Sequence, residues 1–246
     1  MDTHIQNRTA SKMLLNISIL SIALNVSYFA FLLYSNKLYD VGKCCSSMVL
    51  LVLPVSEMLK HFYIKHAFRL DGTAKNGHNS GTMPSGRVFS NKGKTVRIQW
   101  KQLFHSTLLL ALTVLFFGFV CLVLGAPLPQ YEETVSLSFT LTTVTIFPIM
   151  LLIGHSLTYK LLLSESLELK CVLANSYLNM LKNNCIGVIL GAWGASVAAP
   201  LDWDRPWQVY PIPNIVGVFF GLFGMNLLSL LRIVYFSFTQ RRIKKM

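Results

Sequence analysis

Residues 105–128 read HSTLLLALTVLFFGFVCLVLGAPL, with no lysine, arginine, aspartate or glutamate among them. An apolar stretch of about 18 residues or more is long enough to cross the roughly 30 Å hydrocarbon layer of a bilayer as a helix. Two further stretches each contain a run of at least about 18 residues without a charged side chain: TASKMLLNISILSIALNVSYFAFLLY at 9–34 and IPNIVGVFFGLFGMNLLSLLRIVYFSF at 212–238. Only 13% of the 246 residues are charged and 53% are hydrophobic, whereas a soluble domain carries about 25% charged residues. These runs are continuous, so they do not fit the short alternating strands of a transmembrane barrel. The sequence therefore predicts an all-α polytopic transmembrane helical bundle, with residues 1–246 forming a single integral membrane domain.

The expected spans are about six, at 13–34, 44–64, 102–124, 135–154, 180–199 and 212–236. The fifth has the shortest clean apolar part, Cys185 to Ala199, so its helix is expected to begin before Asn183 or to sit tilted. Residues 155–179 read either as an interfacial helix or as an extension of a neighbouring span. Pro148, late in the fourth span, is expected to kink that helix or to mark its end. No small-x-small cleavage site follows the first run, which argues against a signal peptide. The five cysteines are scattered apart from Cys44-Cys45 and form neither a disulfide framework nor a CxxC metal site.

Charge then orients the bundle. An even number of spans puts both termini on one side. That side collects Arg8 and Lys12, nine basic residues from Lys60 to Lys101, Lys160, Lys170 and Lys182, and the C-terminal set from Arg232 to Lys245. These are 19 of the 22 lysines and arginines. The other side keeps Lys37, Lys43 and Arg205 against Asp40, Glu132, Glu133, Asp202 and Asp204. Basic residues accumulate on the cytoplasmic side, so both termini are expected there. The net charge of +12 follows from this placement and does not require nucleic acid as a partner. Residues 69–97, rich in Gly, Ser, Asn and basic residues, read as a flexible basic cytoplasmic loop that cannot bury enough surface to fold alone. Attraction to anionic membrane lipids is a second role open to it.

Gly187, Gly191, Gly194 and Ala198 follow one another at helical spacing, and Gly217, Gly221 and Gly224 do the same in the last span. Helices in lipid associate through such small-residue faces, so the last two spans are expected to pack as a hairpin. The connecting segment, GAWGASVAAPLDWDRPWQVYP at 191–211, carries Trp193, Pro200, Asp202, Trp203, Asp204, Arg205, Pro206 and Trp207. Prolines restrict its backbone, and its tryptophans suit a membrane interface. Aromatic and arginine side chains also dominate binding hot spots. A membrane turn and a surface for partner or substrate contact both remain open on these grounds.

Chemistry finds little support. Glu57, inside the second span, is a functional candidate by position, but Lys60 and His61 stand at i+3 and i+4 and can pair with it locally. All six histidines fall on or near the cytoplasmic side, whereas Asp202 and Asp204 fall on the opposite one. Two carboxylates on a short loop make a poor metal site without further ligands. Neither a nucleophile elbow nor an HExxH helix occurs. His66, Asp71 and His78 lie in the basic loop, without a hydrophobic shell to hold their geometry. No catalytic residue, metal or cofactor is expected. An autonomous lipid transporter or membrane-embedded lipid-modifying enzyme stays as the alternative.

The 191–211 segment resembles the PIG-F family of glycosylphosphatidylinositol (GPI) anchor biosynthesis. Gly191, Ala192, Trp193, Gly194, Pro200, Leu201, Asp202, Trp203, Arg205, Pro206, Trp207, Gln208, Val209 and Pro211 fall in that family's pattern, with an acidic residue at Asp204. LGAPL at 124–128 and the threonine-rich TTVTIFPIMLLIG at 142–154 are similar to it as well. The resemblance covers mainly residues 102–236, and the 69–97 loop is longer than the family's usual connector. It implies a multispan endoplasmic-reticulum membrane protein that is a noncatalytic, stabilising subunit of ethanolamine-phosphate transferases. The implied partners are the large catalytic subunits PIG-O and PIG-G, which transfer ethanolamine phosphate from phosphatidylethanolamine to mannoses of the GPI precursor.

Overall fold

The computed structural model describes residues 2–42, 48–75, 100–163, 169, 172–198 and 205–243. Every regular element among them is helical. The long helices are α1 (Asp2–Tyr34), α2 (Met48–Lys75), α3 (Trp100–Val123), α4 (Tyr131–Ile153), α6 (Val172–Ala195) and α7 (Ile212–Ile243), with the short α5 (His155–Leu163) between α4 and α6. Single 3₁₀ turns occupy Lys37–Asp40, Ser196–Ala198 and Pro206–Gln208.

Four of these helices are long and apolar enough to cross a membrane: Ser11–Tyr34 of α1, α3, α4 and Ile212–Phe236 of α7. The chain is thus an all-α polytopic membrane bundle. The other two long helices carry the reason they are less apolar. α2 contains Glu57, Lys60 and Lys65, and α6 contains Asn175, Asn179, Lys182, Asn183 and Asn184.

The core divides into two clusters along the bundle axis. One joins Tyr28 and Leu32 of α1, Leu53 of α2, Phe117 of α3, Leu137 and Leu141 of α4, Val188 of α6 and Ile212 and Ile215 of α7. The other joins Ile17, Ile64, Ile149, Leu152, Leu173 and Leu178. α1 and α6 run from the second cluster to the first, whereas α2 and α4 run from the first to the second, so α1 is antiparallel to α2 and α4 to α6. α4 sits at the centre, with 83% of its most apolar window buried, against 11% for α3. Its interior position is compatible with seven serines and threonines because most of their hydroxyls bond backward. Thr134, Ser138, Thr140 and Thr145 each donate to the carbonyl four residues earlier, which satisfies the hydroxyl within its own helix.

Several expectations are revised. The fifth long helix begins at Val172 and ends at Ala195, instead of spanning 180–199, because Leu173, Ala174, Tyr177 and Leu178 pack into the core. Residues 155–179 therefore contain both a separate short helix and an extension of α6. α4 continues past Pro148 to Ile153. It ends at Gly154, whose φ of 82° is a left-handed value that glycine adopts without a Cβ penalty. α2 runs to Lys75, seven residues into the expected basic loop, since extending a formed helix adds one backbone bond per residue. Residues 76–99 of that loop lie outside the described residues. In α2, Lys60 donates to Glu57 and both are buried, while His61 stacks edge-on against Phe62.

Candidate functional site

The hairpin of α6 and α7 brings two helix backbones into direct contact. A Cβ placed on Gly191 would collide with the carbonyl oxygen of Gly217, and one on Gly217 would collide with that of Gly191 and lie 2.6 Å from Ala195 Cβ. One turn away, a Cβ on Gly221 would strike the Gly187 carbonyl, and one on Gly187 would meet Gly221 O at 2.9 Å and the Met225 side chain. Four glycines thus let two backbones touch, which is how helices gain contact in lipid. Gly194 and Gly224, at the same spacing, meet nothing within 4 Å among the described residues and take no part in the seam.

Amides close both ends of this seam. Asn214 Nδ2 donates to Ala192 O at 3.1 Å. At the other end Asn184 Nδ2 donates to Asn226 Oδ1 at 3.3 Å, and Asn226 Nδ2 donates to Leu222 O at 2.8 Å. Asn226 is fully buried. Asn25 of α1 donates to Phe219 O at 3.2 Å, which docks α1 against the back of α7.

The connecting segment is fastened by a residue absent from the candidate set. Gln208 is buried; its side-chain oxygen accepts from Arg205 N at 3.0 Å and its amide donates to Ala198 O at 3.1 Å. One side chain thereby ties the Pro206–Gln208 turn to the end of α6. Arg205, Pro206, Trp207 and Trp193 remain exposed. Trp193 is exposed whereas Gly191 lies against α7, so the seam and the expected interface anchor are separate surfaces. Pro200, Asp202, Trp203 and Asp204 lie outside the described residues.

The segment then seats on α4. Tyr210 Oη donates to Thr134 Oγ1 at 3.2 Å, and the Cys121 thiol is within hydrogen-bonding reach of Ser138 and Tyr210. Burial pushes the Tyr210 phenol up to about 12, against the opposing pull of its bond to Thr134, so it is a neutral donor at physiological pH. Ser136 Oγ donates to Val41 O at 2.5 Å. A Cβ on Gly42 would lie 2.9 Å from Glu133 Cγ and 3.1 Å from Pro211 Cδ. The first and last interhelical connections therefore converge on the N-terminus of α4. Helical spacing signalled the four seam glycines. Gln208 stood only as part of the family pattern, and nothing local signalled Gly42, whose neighbours Glu133 and Pro211 are distant in sequence.

Among the described residues no group of three or more His, Cys, Asp or Glu side chains is placed to hold a metal. The arrangement is a packed hairpin with a clasped connection.

The model of the GPI biosynthesis protein family Pig-F matches residues 4–230. The chain belongs to the PIG-F family. Among its relatives is the human protein named GPI ethanolamine phosphate transferase, stabilizing subunit. It is 34% identical over 106 residues, covering 43% of this chain and 47% of that one. The mouse protein of the same name is 36% identical over 98 residues, 39% of this chain and 43% of its own. A fission yeast PIGF/3-ketodihydrosphingosine reductase fusion protein is 31% identical over 108 residues, 44% of this chain and 21% of that one. The chain thus spans less than half the length of these relatives in each alignment. No solved structure matches it.

Proposed function

We propose that this chain is a noncatalytic stabilising subunit of endoplasmic-reticulum complexes that transfer ethanolamine phosphate from phosphatidylethanolamine to mannose of the GPI precursor. The family match across residues 4–230 carries this reading, together with the stabilising role in the names of its human and mouse relatives. The six long helices would all cross the membrane, α2 and α6 shielding their polar residues inside the bundle, with both termini in the cytoplasm. The partners would be the large catalytic subunits PIG-O and PIG-G.

The glycine seam supports a scaffold role, because it builds a rigid hairpin that leaves Ile186, Ile189 and Leu190 of α6 and Phe220 of α7 exposed to engage a second membrane protein. Leucine at Gly191 and Gly221 would force α6 and α7 apart. The expected result is a several-fold loss of a large multispan subunit from mild-detergent affinity purifications, together with reduced abundance of that subunit. Unchanged recovery and normal GPI maturation would sink the proposal. Transfer of ethanolamine phosphate by the purified chain alone would replace it with the enzyme reading.

A further inference from the structure

Two histidines separated by 50 positions meet where α3 and α5 pack together. The rings of His105 and His155 have centroids 5.8 Å apart and planes inclined by 33°. One ion bound to a nitrogen of each ring, at metal–nitrogen bonds of about 2.0–2.1 Å, sets ring centres about 5–6 Å apart. The observed spacing falls in that range.

A second feature prepares one of these rings. His105 Nδ1 lies 2.6 Å from the carbonyl oxygen of Lys101. A carbonyl only accepts, so Nδ1 carries the proton and donates it. The neutral ring then keeps its lone pair on Nε2. A second-shell bond of this kind orients metal-ligating histidines and fixes their tautomer. His155 stands at the first position of α5, directly after the Gly154 turn that ends α4, so its backbone is held by the packing of α4 and α5.

We infer that His105 and His155 form a two-histidine site for a borderline divalent transition-metal ion such as Zn²⁺, Ni²⁺ or Cu²⁺. Imidazole nitrogen suits these ions, and water or a small anion completes their coordination. The bound ion links α3, the most peripheral of the long helices, to α5 and through it to α4. Metal that binds only the folded state stabilises it by an amount that grows with the logarithm of ligand excess over the dissociation constant, so occupancy tightens this corner of the bundle. The site is independent of any catalytic partner.

Cu²⁺ titration of the untagged full chain in nanodiscs tests the assignment. Trp100 is five residues from His105 at the start of α3, whereas Trp193, Trp203 and Trp207 belong to the α6–α7 hairpin. Cu²⁺ is expected to quench the Trp100 share of the fluorescence, defined with W100F, and to give an electron-paramagnetic-resonance spectrum split by two imidazole nitrogens. H105A and H155A should each weaken this binding at least tenfold, and the double variant no further. H61A and H66A should leave it unchanged, controlling for binding at other histidines. Zn²⁺ should raise the unfolding temperature of the parent chain and not of H105A or H155A. Equal Cu²⁺ affinity and the same two-nitrogen spectrum in H105A, H155A and the parent chain would overturn the assignment.

Discussion

Gly191 and Gly194 stand three residues apart on α6, and a methyl group has opposite consequences at the two. At Gly191 it would be driven into the Gly217 carbonyl. Backbone cannot step aside as a side chain can, and overpacking of this kind costs about 1–3 kcal/mol. At Gly194 the methyl would meet nothing among the described residues, and alanine would recover about 0.5–1 kcal/mol of helix stability. Thermal unfolding in detergent should therefore show G191A below the parent chain and G194A at or above it. If both variants shift alike, helix propensity and not the seam governs the hairpin. Periodicity grouped Gly194 with the other glycines because a helical repeat identifies a face, while only the crossing point of two helices decides which residues on it touch.

α4 carries the same lesson at the scale of an element. Its hydroxyls are spaced along a buried helix, yet they do different work. Ser136 reaches across to Val41 O, so S136A would leave a buried carbonyl without its partner, at a cost of about 1–3 kcal/mol. Thr142 is also buried, but its hydroxyl has no partner among the described residues. T142V keeps the shape and removes that orphaned group, so it should be neutral or stabilising by about 1 kcal/mol. Urea or thermal unfolding of the two variants checks the ordering, and a larger loss in T142V would refute it. Composition revealed α3 most readily because its uniformly apolar surface, hardly buried in this chain, suits lipid all round. α6 was the least legible element. Its asparagines and Lys182 interrupt the apolar run, although Asn184 is satisfied in part by Asn226 on α7, a partner 42 residues away. Sequence windows register the cost of an isolated polar residue and not the relief supplied by another helix.

Across the whole molecule, alternation of long helices was legible because hydrophobic length and charge asymmetry are properties of the chain itself. The clasp at Gln208, the closeness of Gly42 to Glu133 and Pro211, and the meeting of His105 with His155 were not, since each depends on connections that fold back to one place. The antiparallel order of the helices brings the N-terminal part of α1 and the C-terminal part of α7 to the same end of the bundle. α1 has 33 residues, about 50 Å of helix at roughly 1.5 Å per residue. That exceeds a hydrocarbon layer of roughly 30 Å, so part of α1 must extend beyond it. In the proposed orientation, with the basic flanks in the cytoplasm, that end is cytoplasmic and Asn7 of the sequon Asn7-Arg8-Thr9 is expected to escape lumenal glycosylation. Expression with microsomes should yield a chain whose mobility is unchanged by endoglycosidase H. In a cysteine-free background, a cysteine at Ser85 should react with impermeant maleimide from the cytosolic side, and one at Asn36 only after the lumenal face is opened. A glycan on Asn7, or the reverse labelling pattern, would turn the bundle over and put the 191–211 segment on the cytoplasmic side.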